Sequence, residues 1–141
     1  ELEELYRVAP LKGRTLEILK TSFSNSMYVS FAYMPEEGEE GLSNSTRLSN
    51  DGDIPKEHTP RGRLIAAGRV LADGAACAYV SDIAVHPDMQ GMGIGRSLVS
   101  GLLSRCKHHA KIILYASPGK EGFYRKLGFR PMSTAMAIFK V

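Results

Sequence analysis

The run VHPDMQGMGIGRSLV, from Val85 to Val99, constrains this chain more than any other stretch. Gly91, Gly93 and Gly95 alternate with Met92 and Ile94 where a β-rich segment gives way to a helical one. Glycine inside a regular element costs roughly 0.5–1 kcal/mol relative to alanine. Such spacing therefore asks for a special backbone conformation or for a ligand close to the peptide chain. A dinucleotide fingerprint is excluded, because GxGxxG counted from Gly91 ends on Arg96 and counted from Gly93 ends on Leu98. A P-loop is excluded too, since no GxxxxGK spacing occurs. What remains is a strand, a turn and a helix start whose first N–H groups lack intrahelical acceptors. With the positive end of the helix dipole, that terminus suits a phosphate. On the residues alone, a tight strand-to-helix turn without a ligand stays open beside it.

Around this turn the chain reads as strands and helices in alternation. Leu2 to Pro10 is expected to hold a short first strand, and Thr15 to Phe23, with Leu16, Leu19 and Phe23 at helical spacing, an amphipathic helix. Ser26 to Met34 is β-branched and aromatic enough for a strand. Residues 36–63 are polar, acidic at their start and nearly free of large apolar side chains, so a long mobile loop insertion is expected there. Leu64–Ala72 and Ala75–Val85 read as a hairpin about Asp73-Gly74. A helix to about His108 follows the glycines, with Leu98, Val99, Leu102, Leu103 and Cys106 on one face. Lys111–Ala116 is a buried-strand run, Pro118 suits a first helical turn and Gly128 a C-terminal cap. A last strand or hairpin is expected from Arg130 to Val141. The order gives an α/β or mixed α+β sheet in one domain spanning 1–141.

Composition limits the function classes. A net charge of +3 suits an anionic small molecule as well as nucleic acid, and it is the lack of a dense Lys/Arg tract that argues against a nucleic-acid binder. Cys77 and Cys106 belong to no CxxC pair, and His58, His86, His108 and His109 form no HxxxH, so no metal site is expected. Unpaired cysteines suit a reducing, cytoplasmic compartment. No apolar run approaches the ~20 residues that span a bilayer, so no membrane association is expected. The chain opens on Glu1, which leaves room for a removed leader peptide.

QGMGIG (Gln90–Gly95) resembles the Q/R-x-x-G-x-G/A signature of the GNAT acetyltransferase superfamily, placed after the strand DIAV and opening a helix. GFYRKLGF (Gly122–Phe129) resembles that family's second signature, a tyrosine-bearing helix ending in a K-x-G-F turn. The resemblance covers roughly residues 64–131. It implies a central, mostly antiparallel sheet with two splayed parallel strands, here those ending at Val85 and Ala116, flanked by helices. It also implies that acetyl-CoA, as co-substrate, lies in the opening between those strands. The pyrophosphate would rest on the amides of Gln90, Gly91, Met92, Gly93, Ile94, Gly95 and Arg96, and the pantetheine would pair with Ile83 and Val85. An N–H near Ile83 or Ala84 would polarise the thioester carbonyl.

Tyr124 matches the family position that protonates the departing thiolate, and the phenol (pKa ~10) and thiol (pKa ~8.5) are close enough for that transfer. Phe123 and Lys126 flank it on the same signature and are carried over as cofactor-binding residues. Ser117 stands seven residues before Tyr124, where many members carry Asn against the pantetheine. For the base, Tyr79 and Asp82 are candidates beside a purely structural reading of each. Strand alternation puts Tyr79, Ser81 and Ile83 on one face and Asp82 on the other. Met27, Tyr28 and Tyr33 would flank an acceptor in a stretch that resembles aralkylamine acetyltransferases, whereas YVSDIAV and KIIL also resemble glucosamine-phosphate N-acetyltransferases. The implied function is acetyl transfer to a small primary amine, an arylalkylamine or an amino-sugar phosphate, by direct attack in a ternary complex. A homodimer is compatible with it. A protein lysine or N-terminal acetyltransferase and a non-catalytic acyl-CoA-binding module are the alternatives.

Overall fold

A computed structural model describes residues 1–9, 11, 13–35 and 62–140. The expected loop at 36–63 lies, up to residue 61, outside the described residues. At the N-terminus helical spacing prevails over the expected strand. Leu2, Leu5, Tyr6 and Ala9 recur at i, i+3, i+4 and i+7, and helix α1 (Leu2–Val8) buries that face, with Leu5 and Tyr6 both 2% exposed. Helix α2 (Leu16–Ser24) starts where Thr15 caps it, the threonine hydroxyl accepting the Ile18 N–H at 3.3 Å.

Strands β1 (Tyr28–Met34), β2 (Arg63–Ala72), β3 (Cys77–Val85) and β4 (Lys111–Leu114) form one sheet in that order. The first three are antiparallel, and β4 runs parallel to β3. Helices α1 and α2 cover one face through Leu5, Tyr6, Ala9 and Leu19 against Leu64, Ala67 and Ala84. Helix α3 (Ile94–Cys106) covers the other, where Leu102 and Cys106 meet Val70, Ala78 and Val80. The apolar stripe read from the sequence is thus the face that α3 buries. Pairing of β3 with β4 runs from Cys77↔Lys111 to Val80↔Leu114 and stops there, so the end of β3 parts from β4.

The β2–β3 connection turns on Asp73, whose carboxylate accepts the N–H groups of Ala75, Ala76 and Cys77 at 2.8–3.1 Å. Those donors, Ala75 first, hold its carboxyl below the usual range of 3.8. A depressed folded pKa adds stability above the unfolded pKa, which is lost as pH falls through the lowered folded value. Asp73→Asn should therefore lower Tm at neutral pH, and its gap to the parent should close on acidification. Thermal melts across the carboxyl range check this; a gap of constant size would mean the charge plays no part.

A β-bulge interrupts β3. Ala67 faces Ala84 and Arg69 faces Ser81, so Asp82 and Ile83 together stand opposite Gly68. Asp82 has φ 51, a left-handed geometry that among residues with a side chain is commonest for Asp and Asn. Gly68 makes room for the bulge, since a Cβ there would lie 2.5 Å from Ile83 Cδ1. The bulge overturns the expected alternation. Ile83 packs in the α3 cluster with Ala78 and Val80, while Asp82 turns toward Arg14 and Arg69 on the α1 side.

Helix α4 (Glu121–Arg125) begins after Gly119, so Pro118 lies before the helix and not in its first turn. Gly128 (φ 94) ends the next turn as expected, with Phe129 N–H bonding Tyr124 O at 3.1 Å. The strand or hairpin expected from Arg130 to Val141 is absent among the described residues 130–140. Met136, Ile138 and Phe139 there stay exposed. Alternation supplies strand propensity, but a strand also requires a partner for its backbone, and the segment pairs with none.

Candidate active site

The parting of β3 from β4 opens a cleft of about 420 Å³. Three pieces of chain converge on it: Ile83, Ala84 and Val85 from β3, the glycine turn, and one side of α4. Of the residues singled out in the sequence, Gln90, Gly91, Gly93, Gly95, Arg96, Ser117, Phe123, Tyr124 and Lys126 also line it.

The glycines divide by task. Gly91 and Gly93 both have φ 81, and a Cβ on either would point into open space. Gly93 is the N-cap of α3, and Ser97 N–H, bonding Gly93 O at 3.0 Å, closes the first helical hydrogen bond. The N–H groups of Ile94, Gly95 and Arg96 precede it and have no intrahelical acceptor. Gly95 serves packing, since a Cβ there would press Val85 Cγ2 at 3.3 Å and Phe123 Cζ at 3.6 Å. Ahead of the turn Gln90 reaches back, its Nε2 donating to Val85 O at 3.2 Å. Arg96, Lys120 and Lys126 give the cleft cationic side chains, and Ala9, Leu11, Met89 and Leu127 give it apolar walls.

Tyr124 is held by edge-on contacts with Phe123 and Phe129, at ring separations of 5.0 and 5.9 Å. Burial pushes its phenol above the ordinary value of 10. The hydroxyl therefore stays protonated across the neutral range, as a proton donor must.

Other predicted residues lie elsewhere. Met92, Ile94 and Tyr33 line a smaller cavity of about 150 Å³ between β1 and the start of α3. Tyr28 packs in the α3 cluster with the Arg105 guanidinium 4.4 Å above its ring. Met27 sits by the Gly74 turn, so neither Met27 nor Tyr28 reaches the cleft. Tyr79 is paired within the sheet, between Leu71 and Ile113. Asp82 does not line the cleft either; Arg69 Nε lies 2.5 Å and Arg14 Nε 2.8 Å from its two oxygens. Both oxygens are thus engaged by guanidinium groups outside the cleft.

Lys120 and Leu127 were within reach of sequence reasoning, one in the Ser117 loop and the other one turn beyond Phe123. Ala9 and Leu11 were not, because their place depends on α1 being a helix. Among the described residues no group of three His, Cys, Asp or Glu side chains is placed to hold a metal ion. No described helix is long and apolar enough to cross a membrane.

The family model of the acetyltransferase (GNAT) domain matches residues 58–137, more than half of the chain. The chain belongs to the GNAT acetyltransferase family. Serotonin N-acetyltransferase 2, chloroplastic, of Oryza sativa subsp. japonica is 44% identical over 70 residues, which cover 48% of this chain and 35% of the relative. Glucosamine 6-phosphate N-acetyltransferase of Trypanosoma brucei brucei is 33% identical over 89 residues, 57% of this chain and 60% of that one. The chain thus spans between 35% and 60% of the length of these two curated relatives. A GNAT family acetyltransferase from Streptococcus pneumoniae shares the fold, with a TM-score of 0.67 at 24% identity over 99% of this chain and 87% of that one. Glucosamine-6-phosphate N-acetyltransferase of Arabidopsis thaliana superposes with a TM-score of 0.51 at 26% identity, covering 55% of this chain and 58% of the other. The GNAT domain therefore places both of its signature segments on the walls of one cleft.

Proposed function

We propose that this GNAT domain is an N-acetyltransferase that moves an acetyl group from acetyl-CoA to the primary amine of a small molecule. The observation that carries the reading is the meeting of Gln90–Arg96 and Phe123–Lys126, distant in sequence, across the parted ends of β3 and β4. The residues fit an anionic thioester co-substrate. Open space lies over Gly91 and Gly93, unpaired N–H groups follow them, and three cationic side chains line the cleft.

Acetyl-CoA supplies the activated acyl group when bound. The amides of the glycine turn hold phosphate, with Arg96 beside them. The Ile83–Val85 edge orients the acyl carbonyl and offers it a backbone N–H. The acceptor must arrive as a free amine, since an ammonium (pKa ~10.4 for an alkylamine) has no lone pair for attack. The new C–N bond forms as the C–S bond breaks, the leaving sulfur takes the Tyr124 proton, and solvent returns it. The excess proton on nitrogen leaves to water. The apolar wall at Ala9 and Leu11 favours an arylalkylamine over an amino-sugar phosphate. The name of the rice relative points the same way.

Thiol release tests this directly, with acetyl-CoA and a panel of arylalkylamines, glucosamine 6-phosphate and a lysine-containing peptide. The expected result is turnover on arylalkylamines above the other two. Turnover on the peptide alone would favour the protein-acetylating alternative. CoA binding without turnover on any amine would leave only a binding module.

A further inference from the structure

The Asp82 bulge is over-determined by groups that the acyl-transfer chemistry does not use. The Tyr6 hydroxyl, delivered by α1, donates to the Asp82 carbonyl oxygen. Arg69 Nε, from β2, meets one carboxylate oxygen at 2.5 Å, and Arg14, from the segment before α2, meets the other through Nε at 2.8 Å and Nη2 at 2.7 Å. Arg69 also donates to Ser26 Oγ at 3.3 Å, which ties it to the start of β1. The Asp82 side chain is 2% exposed, and that of Arg69 11%. Aspartate is among the few residues other than glycine that visit the left-handed region, and here its surroundings fix it there. Here three elements converge on one residue.

The position of that residue gives the arrangement its consequence. Ile83, Ala84 and Val85, which follow it directly, are the part of β3 that lines the cleft. A regular strand would reverse the inward and outward order of those three and turn different backbone groups to the opening. We infer that Asp82 is a positioning residue: its carboxylate, clamped by Arg14 and Arg69, and its carbonyl, held by Tyr6, lock the bulge that aims the Ile83–Val85 edge at the acyl carbonyl. The inference rests on the acyl-transfer reading for its effect on turnover, but the lock itself is a property of the folded chain. It also assigns α1 a task in the site, although Tyr6 does not line the cleft.

Tyr6→Phe is the mild test, because it keeps the ring and removes one donor. Asp82→Asn is the severe one, because it tolerates the left-handed backbone but leaves Arg69 buried beside a neutral partner. In both, turnover should fall by about 10–10²-fold, the range for a reacting group displaced by ~1 Å. Affinity for CoA, resting on the glycine turn, should change by less than the fall in turnover. The amide chemical shifts of Ile83 and Ala84 should move in both variants. If Asp82→Asn does not fold, Tyr6→Phe decides alone. Variants with lower Tm but unchanged turnover and unchanged Ile83 and Ala84 amides would overturn the inference. A shifted acid limb of the rate profile in Asp82→Asn, with Tyr6→Phe silent, would overturn it in favour of a base. If the parent chain turns over no amine, the acyl-transfer reading falls, and the two amide shifts still decide whether the lock exists.

Discussion

Tyr124→Phe is expected to lower turnover by roughly 10²–10⁴-fold while leaving CoA affinity almost unchanged, the usual cost of removing a general acid. In free energy that is about 3–5 kcal/mol of transition-state stabilisation. The variant isolates one atom. The ring keeps its edge-on contacts with Phe123 and Phe129, so the pocket shape survives. A tyrosine serving only to pack would lose about 1 kcal/mol of stability and almost no turnover, so the two roles predict opposite pairs of readings. The pH profile gives a further check. Burial raises the phenol pKa, so loss of the donor as pH rises begins above the ordinary tyrosine range. That limb should vanish in the phenylalanine variant. Stopped-flow thiol release, calorimetry with CoA and a thermal melt decide it together; turnover near that of the parent would remove Tyr124 from the mechanism.

The sheet and α3 could be read from the sequence because each announces itself locally. Asp73-Gly74 marks the β2–β3 turn, and the stripe of Leu98, Val99, Leu102 and Cys106 is the face that α3 buries. The glycine turn was legible for the same reason, its spacing being a backbone requirement that Gly91 and Gly93 meet with positive φ. What failed depended on distant partners. Leu2 to Ala9 is short enough to read as a strand, and only the sheet it lands on selects the helical face. Alternation along β3 breaks at Asp82 because Gly68, on another strand, leaves a gap that Ile83 fills. The engagement of Asp82 by Arg14, 68 residues away, and by Arg69 is invisible to any local window. Tyr28 looked like a pocket aromatic because nothing nearby in sequence shows that Arg105 covers its ring. In the cleft, the residues found were those on signature motifs. Of those missed, Met89, Lys120 and Leu127 lie in or beside those motifs, whereas Ala9 and Leu11 come from the end of α1 and the segment after it, far from them in sequence.

Filling the space above the glycine turn should abolish tight CoA binding without dismantling the fold. Gly93 is the decisive position, because it caps α3 and a Cβ there meets no protein atom within 4 Å. Whatever a side chain costs a ligand at that site, it therefore does not cost through a clash with the protein. Gly93→Val carries a confounding term, since valine at φ 81 pays a left-handed penalty of roughly 1–2 kcal/mol. Gly93→Asn separates the two effects. Asparagine tolerates the left-handed region, so the turn is kept, yet its side chain occupies the same space. A hydrogen bond to a charged group contributes about 1.5–3 kcal/mol, so displacing a phosphate from two amides weakens binding by roughly 10²–10⁴-fold. Both variants should lose CoA affinity by that order, with valine the more destabilised in a thermal melt. Calorimetry on the asparagine variant is the critical measurement. A folded Gly93→Asn protein that binds CoA as the parent does would show that phosphate does not rest on these amides, and the turn would then be a tight connection between β3 and α3 and no more.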